Sequence, residues 1–179
     1  MITIPTRSQP KPLKNGVENR VLSLWKKLGG NAIGRKLFNL TLSRSVPYSG
    51  SIKADVKHIE PGFVKVVLKD RRKIRNHLNS IHAIALANFG ELSSGLAMIT
   101  ALPSGTRSIV THLEIEYLKK ARGQLLAEGR ASPPDVIDKP VDSLATADIL
   151  DAEGDLVACV TVLWRLSPKV ETEDRTKHE

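Results

Sequence analysis

The chain has 179 residues, a length that suits one domain with a short appendage. Lys and Arg outnumber Asp and Glu by 27 to 19, and the resulting net charge of +8 favours anionic partners such as nucleic acid, an anionic membrane or phosphate-bearing small molecules. An aromatic content of 4% argues against base-stacking platforms, so nucleic acid is not expected as a partner. The single cysteine, Cys159, excludes an internal disulfide and is predicted to be an inert core thiol.

Both ends of the chain are predicted to be disordered. Residues 1–14 are basic and rich in proline, and residues 169–179 are highly charged. The first residues lack the apolar run of a secretory signal, and the cysteine usage suggests a reducing compartment. We therefore expect a cytoplasmic protein, while the basic N-terminus leaves organelle targeting open.

Residues 15–46 are predicted to form a helical extension. A first helix should end at Gly29-Gly30, and a second should cover Ala32 to Leu42. The apolar side of the second helix comprises Ile33, Leu37, Phe38 and Leu40. The expected role is an amphipathic cover packed on the core, and a helix lying on a membrane surface is the alternative.

Strands are predicted on both sides of a long helix. Pro47-Tyr48-Ser49-Gly50 indicates a turn, and Ile52–Ile59 and Phe63–Leu68 form a hairpin around Pro61-Gly62. Later strands are predicted at Ile109–Tyr117, Gln124–Ala131, Val141–Leu150 and Leu156–Leu166. One face of the Ile109–Tyr117 strand should carry Ile109, Thr111, Leu113, Ile115 and Tyr117.

The long helix, Ser80 to Leu102, has apolar or small residues in nearly every direction. Such a helix is either buried on most sides or lies in a membrane. Glu91 at its centre, with His82 and Asn88, argues against a membrane span. The order of elements therefore predicts an α+β fold, in which an antiparallel sheet of about six strands curls around this helix within a domain at 47–168.

The chemistry that the sequence offers is concentrated on this helix. The chain has no glycine-rich phosphate loop, no zinc-ligand spacing and no Gly-x-Ser-x-Gly motif, so neither metal nor cofactor is predicted. Amides at a helix N-terminus can stabilise an oxyanion, and the Glu91 carboxylate could activate water or attack directly. His82 and Glu91 are separated by roughly 14 Å along the axis and by about half a turn. If both serve one site, a second copy of the chain must complete it.

The stretch Asn76-His77-Leu78-Asn79-Ser80-Ile81-His82-Ala83-Ile84-Ala85-Leu86-Ala87-Asn88-Phe89-Gly90-Glu91 resembles the hotdog-fold thioesterases. It is most similar to the phenylacetate-degradation-type acyl-CoA thioesterases and to an uncharacterised branch near them. In that family an Asn-containing loop leads into His-Gly-Gly at the start of the central helix, and an acidic residue follows. Ala83 and Ile84 stand where the family has its two glycines. The resemblance covers roughly residues 51–166.

The resemblance implies hydrolysis of an acyl-CoA thioester by a homodimer or a dimer of dimers, without metal and with coenzyme A as part of the substrate. Glu91 would be the general base or nucleophile, and the Ala83 amide would bind the thioester oxygen. Asn76 would position water from the neighbouring subunit, and His82 would orient the loop or the substrate. The coenzyme A phosphates would contact a basic segment that includes Lys119, Lys120 and Arg122.

Other interpretations remain open at the level of sequence. Non-catalytic hotdog proteins exist, and the bulk of Ile84 keeps a non-catalytic acyl- or CoA-binding role as the alternative. Glu91 could be a buried structural acid paired with a neighbour, and Asn76 could only cap a helix. Trp25 and Trp164 are expected to be packing residues. No stable membrane insertion is expected.

Overall fold

The computed structural model describes residues 20–169, so the predicted arm at 1–14 and nearly all of the predicted tail lie outside the described residues. Three helices come first: α1 (Arg20–Leu28), α2 (Ala32–Ser45) and α3 (Pro47–Gly50). The hairpin of β1 (Asp55–Glu60) and β2 (Phe63–Leu68) leads through a 3-10 turn to α4 (Ala83–Ala101). Four strands follow: β3 (Thr106–Tyr117), β4 (Leu125–Ala131), β5 (Val141–Leu150) and β6 (Leu156–Pro168).

Within this part of the chain the strands form one six-stranded sheet in the order β1-β2-β4-β5-β6-β3. Every neighbouring pair is antiparallel. Helix α4 contacts all six strands, so the sheet curls around it. The predicted α+β architecture, with a central helix wrapped by the sheet and a helical extension before it, is confirmed.

Glycine lets α4 lie unusually close to the sheet. A Cβ on Gly129 of β4 would overlap the backbone carbonyl of Ser93, and a Cβ on Gly90 would overlap the side chain of Val160. Close approach brings the apolar residues of both layers into contact, and Phe89, Met98, Leu125 and Ile149 are fully buried. The core of the domain therefore depends on these two contacts.

Two buried polar side chains of α4, Ser93 and Thr100, form hydrogen bonds within the helix. Ser93 Oγ donates to the Phe89 carbonyl at 2.7 Å, and Thr100 Oγ1 donates to the Leu96 carbonyl at 2.8 Å. By length and composition α4 alone among the described helices could cross a membrane, but about two thirds of it is buried by the rest of the domain. It is the core helix that the sequence predicted.

Two local predictions about the first strand and the segment before it need correction. Pro47 to Gly50 forms a single α-helical turn, because Pro47 stands in the first turn where no N–H is needed. The first strand begins at Asp55 and not at Ile52, although Ile52 is buried as its alternation predicted. A register shift between Val56 and His58 then brings both Val56 and Ile59 to the buried face.

The single apolar face predicted for β3 is wrong. The register with β6 shifts between Val110 and His112, so Thr111 is an extra residue, as in a β-bulge. The bulge reverses the alternation, and Val110 faces the core together with Leu113 and Ile115. Ile109 is consequently 65% exposed.

The apolar side predicted for α2 is also only partly correct. Phe38 is buried and packs edge-on against Trp25, with ring centroids 5.0 Å apart. Ile33, Leu37 and Leu40 face solvent instead. The helix is held by its other side, from which Asn39 accepts from the Val56 amide at 2.8 Å and donates to the Val56 carbonyl at 3.4 Å. The Asn39 amide thus occupies hydrogen-bonding positions on the free edge of β1.

Replacing Gly129 with Ala tests the close approach of α4 to the sheet. We expect Gly129→Ala to lower the free energy of unfolding by about 1–3 kcal/mol, because the new methyl group meets a backbone carbonyl that cannot rotate away. Gly30→Ala is the matched control, since a Cβ there meets nothing within 4 Å and should change stability by less than about 1 kcal/mol. Urea unfolding of both variants measures the difference, and equal midpoints would refute the contact.

Candidate active site

The N-terminus of α4 begins at a histidine cap. His82 has extended backbone angles, and its Nδ1 accepts from the Ile84 amide at 3.1 Å. Because Nδ1 accepts, the ring proton of neutral His82 is assigned to Nε2. The amide of Ala83 donates to no described residue, as expected for the first amide of a helix. This free N–H, at the positive end of the helix dipole, can donate a hydrogen bond to an anionic oxygen.

The loop before α4 is organised by Asn76. Its Oδ1 accepts from the Leu78 amide at 3.0 Å, the Ser80 amide at 3.2 Å and the Ser80 hydroxyl at 3.1 Å. The Asn76 backbone amide also donates to the Ser80 carbonyl at 2.8 Å. Because Oδ1 already accepts three hydrogen bonds, the side-chain NH₂ is the part of the Asn76 amide that can bind a ligand. Asn76 can therefore donate a hydrogen bond to a water or carbonyl oxygen.

Asp70 fixes this loop to the segment that follows β3. Its carboxylate accepts from Arg75 Nε at 2.6 Å and from the Gly123 amide at 3.0 Å. The hydrogen bond from Arg75 holds the pKa of Asp70 below its usual value. The Ile81 amide adds a second link by donating to the Ala121 carbonyl at 2.8 Å. The loops on either side of the helix start are thus held together.

Tyr117, at the end of β3, reaches the first turn of α4. Its hydroxyl donates to the Ala83 carbonyl at 3.1 Å, and burial raises its pKa. The contact orients the peptide groups beside the free Ala83 amide. It also places the end of β3 beside the helix start.

Glu91 lies in the middle of α4, half-buried, with no ion pair or side-chain hydrogen bond to any residue from 20 to 169. Burial raises the pKa of its carboxyl. The interpretation of Glu91 as a structural acid with a charged neighbour therefore finds no support in the described residues. A half-buried carboxylate without a partner is typical of a functional site.

Two further unsatisfied polar atoms lie close to Glu91 in the fold. Gly95, one turn on, brings Glu91 and Trp164 together: a Cβ on Gly95 would lie 3.7 Å from Glu91 Oε1 and 3.3 Å from the Trp164 ring. Among residues 20–169, buried Trp164 Nε1 finds no acceptor and buried Asn88 Oδ1 finds no donor. Asn88 precedes Glu91 by three residues, which places the two on neighbouring positions of the helix surface. The carboxylate and the unused acceptor thus lie on α4, and the unused donor lies on β6.

The three basic residues predicted to bind phosphate differ in their surroundings. Lys119 Nζ lies 2.6 Å from Asp151 Oδ2 and 2.7 Å from Asp155 Oδ2. These hydrogen bonds raise the pKa of Lys119 and lower that of Asp151. Lys120 and Arg122 are exposed and form no ion pair within the described part of the chain. Lys119 joins the loop after β3 to the β5–β6 turn, whereas the other two remain available to an anion.

Asn76, His82, Ala83 and the loop carrying Lys119 to Arg122 therefore gather at one end of α4. Glu91 does not join them, because nine residues of helix place it about 14 Å along the axis from His82. No group of three His, Cys, Asp or Glu side chains suited to a metal occurs in residues 20–169. Within one chain these polar groups therefore form two separate clusters.

A family model for a domain of unknown function, DUF4442, matches residues 34–166. The chain belongs to the DUF4442 family. The match starts within α2, includes α4 and the first five strands, and ends two residues before the end of β6. No significant match was found among curated proteins.

Solved structures share the fold of this DUF4442 protein. A structural-genomics protein has a TM-score of 0.71 at 22% identity, with coverage of 83% of this chain and 98% of its own. A probable thioesterase from Pseudomonas aeruginosa has a TM-score of 0.64 at 20% identity, with 74% and 95% covered. A thioesterase from Haemophilus influenzae has a TM-score of 0.64 at 13% identity, with 82% and 99% covered. These similarities confirm the predicted hotdog fold.

Sequence reasoning missed three contributors to the candidate site. Trp164 was expected only to pack. Whether its Nε1–H finds an acceptor depends on the residues that pack against β6, which the sequence does not show. Asn88 carried a signal, since an amide within a buried apolar helix requires a partner. Tyr117 was assigned to a strand face, but its contact with the Ala83 carbonyl spans 34 residues of sequence. Only the Asn88 signal was visible in the sequence.

The raised pKa of Glu91 predicts how pH affects stability. The native protein keeps the Glu91 proton to higher pH than the unfolded chain, whose value is near 4.5, so ionisation disfavours the native state as pH rises through the folded pKa. Glu91→Gln removes this penalty. We expect the variant to be more stable than the parent at neutral and higher pH, with the gain disappearing below the unfolded value.

Urea midpoints at a series of pH values measure the effect. Glu153→Gln is the control, because Glu153 is exposed in the β5–β6 turn and should show no such trend. A Glu91→Gln variant less stable than the parent at high pH would mean that the carboxylate has a stabilising partner.

Proposed function

We propose that the protein is a thioester hydrolase acting on an acyl-CoA. The observation that carries the proposal is the half-buried Glu91 carboxylate, which has no partner among the described residues and a pKa raised by burial. A free helix N-terminal amide at Ala83 adds an oxyanion-binding group. Thioesterases among the structures with this fold support the reaction class.

The reaction follows from these two groups. The Ala83 amide binds the thioester carbonyl oxygen and stabilises the negative charge that develops on it. Glu91, acting as general base, takes a proton from water while the water oxygen bonds to the carbonyl carbon. Collapse of the tetrahedral intermediate breaks the carbon–sulfur bond, and the proton passes to the departing thiolate. The products are a carboxylic acid and coenzyme A. Direct attack of the Glu91 carboxylate on the carbonyl carbon is the alternative to general-base activation of water.

A second copy of the chain brings the two groups together in this proposal. Ala83 and Glu91 are eight residues apart in one helix, roughly 12 Å along the axis, too far for one carbonyl group. The free edge of β3 is twelve residues long and has no paired strand among the described residues, whereas Asn39 occupies the edge of β1. Pairing of two β3 edges forms the homodimer, and two dimers could associate further.

The neighbouring loops supply substrate contacts. Lys120 and Arg122 bind the coenzyme A phosphates, while Lys119 holds their loop through Asp151 and Asp155. Asn76 uses its NH₂ group to position water or the carbonyl, since its Oδ1 is engaged within the loop. His82 caps the helix and keeps the Ala83 amide in place.

A non-catalytic acyl- or CoA-binding protein is the second candidate. The observation that favours it is Ile84, which is 57% exposed at the helix start where the resembled family has glycine. A branched side chain there narrows the approach of a pantetheine arm. Binding of an acyl-CoA without turnover would select this function.

Glu91→Gln tests the catalytic role directly. We expect kcat to fall by about 10²–10⁴-fold, because Gln keeps the shape of the side chain but cannot accept the proton. For the parent protein, kcat/KM should rise with pH as Glu91 ionises, with a midpoint above the ordinary value for glutamate. Hydrolysis of short, long and aromatic acyl-CoAs, followed by thiol release, gives both results. Glu153→Gln should retain parental rates, and unchanged rates in Glu91→Gln would refute the role of Glu91.

Ala83→Pro tests the shared site, because proline removes only the amide N–H. Proline is well accepted at the first position of a helix, and His82 has the extended backbone that a residue before proline requires. Ala83→Pro and Glu91→Gln should each be inactive alone. After the two are unfolded together and refolded as an equal mixture, mixed dimers hold one intact site, so about a quarter of parental activity should return.

The activity recovered by the refolded mixture tests whether the site is shared between two chains. Circular dichroism of Ala83→Pro serves as the control for folding. If both groups belonged to one chain, no mixture could contain an intact site, and activity would remain absent. Absence of recovery in a folded, dimeric mixture would therefore overturn the shared site.

A further inference from the structure

Helix α2 exposes an apolar stripe that the core does not cover. At about 100° per residue, Ile33, Leu37 and Leu40 fall within one narrow arc of the helix, while Phe38 points to the opposite side. Ile33 is 82% exposed, Leu37 51% and Leu40 49%, whereas Phe38 is buried. The stripe is thus the outer side of a helix whose inner side is already packed.

Two more exposed apolar residues follow α2 in the sequence. Val46 and Tyr48 are exposed as well, with Tyr48 at 72%. We call the five side chains of this surface the docking face: Ile33, Leu37, Leu40, Val46 and Tyr48. Single exposed apolar residues are ordinary, but five on one short segment mark an interaction surface.

The charge around the docking face has one sign. Residues 20–54 contain no Asp or Glu, and their basic residues are Arg20, Lys26, Lys27, Arg35, Lys36, Arg44 and Lys53. Lys36 and Arg44 are exposed; Arg44 falls within the arc of the apolar stripe, and Lys36 lies beside it, about 40° from Leu40. Long basic side chains beside apolar ones can reach lipid headgroups while the apolar groups enter the layer beneath.

We propose that the docking face binds reversibly to an anionic lipid bilayer. Its apolar residues match the boundary of the acyl layer, and its basic residues match the negative headgroups. A second copy of the chain is a poor occupant, because two surfaces of the same positive charge repel each other. Nucleic acid would satisfy the charges but not the protruding Ile33, Leu37 and Leu40.

The docking face also borders the helix that carries Glu91. Asn88 Nδ2 donates to the Tyr48 carbonyl at 3.3 Å, so α3 lies on α4 one turn before Glu91. A bilayer bound at the docking face would place lipid near this part of α4. The proposal itself requires only binding, and it stands whether or not Glu91 is catalytic.

Co-sedimentation with lipid vesicles tests the proposal on the full chain. We expect binding to mixed phosphatidylglycerol and phosphatidylcholine vesicles, little binding to phosphatidylcholine alone, and weaker binding as salt is raised to ~1 M. Absence of binding to the anionic vesicles at low salt would overturn it. Glu91→Gln should bind as the parent does, which separates this result from any failure of the hydrolase assignment.

Two double variants divide the apolar and basic contributions. Leu37→Ser with Leu40→Ser should lower the vesicle partition coefficient at least about ten-fold, through loss of apolar contact. Lys36→Gln with Arg44→Gln should lower it about thirty-fold, at roughly five-fold per charge. Val136→Ser is the matched control, since Val136 is 75% exposed in the β4–β5 loop and lies outside the docking face.

The pattern of losses decides between the membrane and other occupants. Loss in both double variants, with Val136→Ser unchanged, supports the docking face. If only Lys36→Gln with Arg44→Gln lost vesicle binding, the surface would bind polyanions through charge alone, and the proposal would be overturned. A change in the oligomeric mass of Leu37→Ser with Leu40→Ser by light scattering, without a change in vesicle binding, would reassign the face to contacts between copies.

Discussion

The close contact between α4 and the sheet is the constraint on which the rest of this structure depends. A helix that is apolar on nearly all sides must be covered on nearly all sides, and six strands curl around it to do so. Gly90 and Gly129 permit the approach because any side chain there would meet the opposite layer. Ser93 and Thr100 can be buried because their hydroxyl groups donate hydrogen bonds to carbonyls of the preceding helical turn. Glu91 has no such partner among the described residues, and its burial raises the pKa of the carboxyl.

The two edges of the sheet have different surroundings, and this difference shapes the candidate site. Asn39 of α2 bonds both backbone groups of Val56, so the β1 edge already carries a partner. The β3 edge is long and unpaired among the described residues, and β3 ends at Tyr117, beside the start of α4. A second chain added at that edge would approach the helix start. In the proposed dimer, each chain would supply the group that the other chain's site lacks, because Ala83 and Glu91 are too far apart along one helix to act together.

The fold was predictable from the sequence to a high degree, and the site only in part. The strands Phe63–Leu68 and Val141–Leu150 begin and end where alternation and turn residues place them. Glu91 and the helix start stood out because a charge inside an apolar helix and a helix terminus are both local features. The unused N–H of Trp164, the Tyr117 contact and the two carboxylates around Lys119 involve residues distant in sequence. No local sequence pattern predicts such long-range contacts.

By itself, the sequence indicated which residues share a face wherever an element is regular, because helical and strand periods depend only on backbone geometry. It also indicated the order of the six strands and the long helix, although not the short helical turn at Pro47–Gly50. The tertiary structure alone decided which of those faces is covered. A one-residue bulge at Thr111 turned Ile109 outward, and packing through Phe38 left Ile33, Leu37 and Leu40 exposed. Both outcomes depend on contacts with segments that are distant in sequence. Burial is decided by how the helices and the sheet pack together, and the periodicity of one segment does not reveal it.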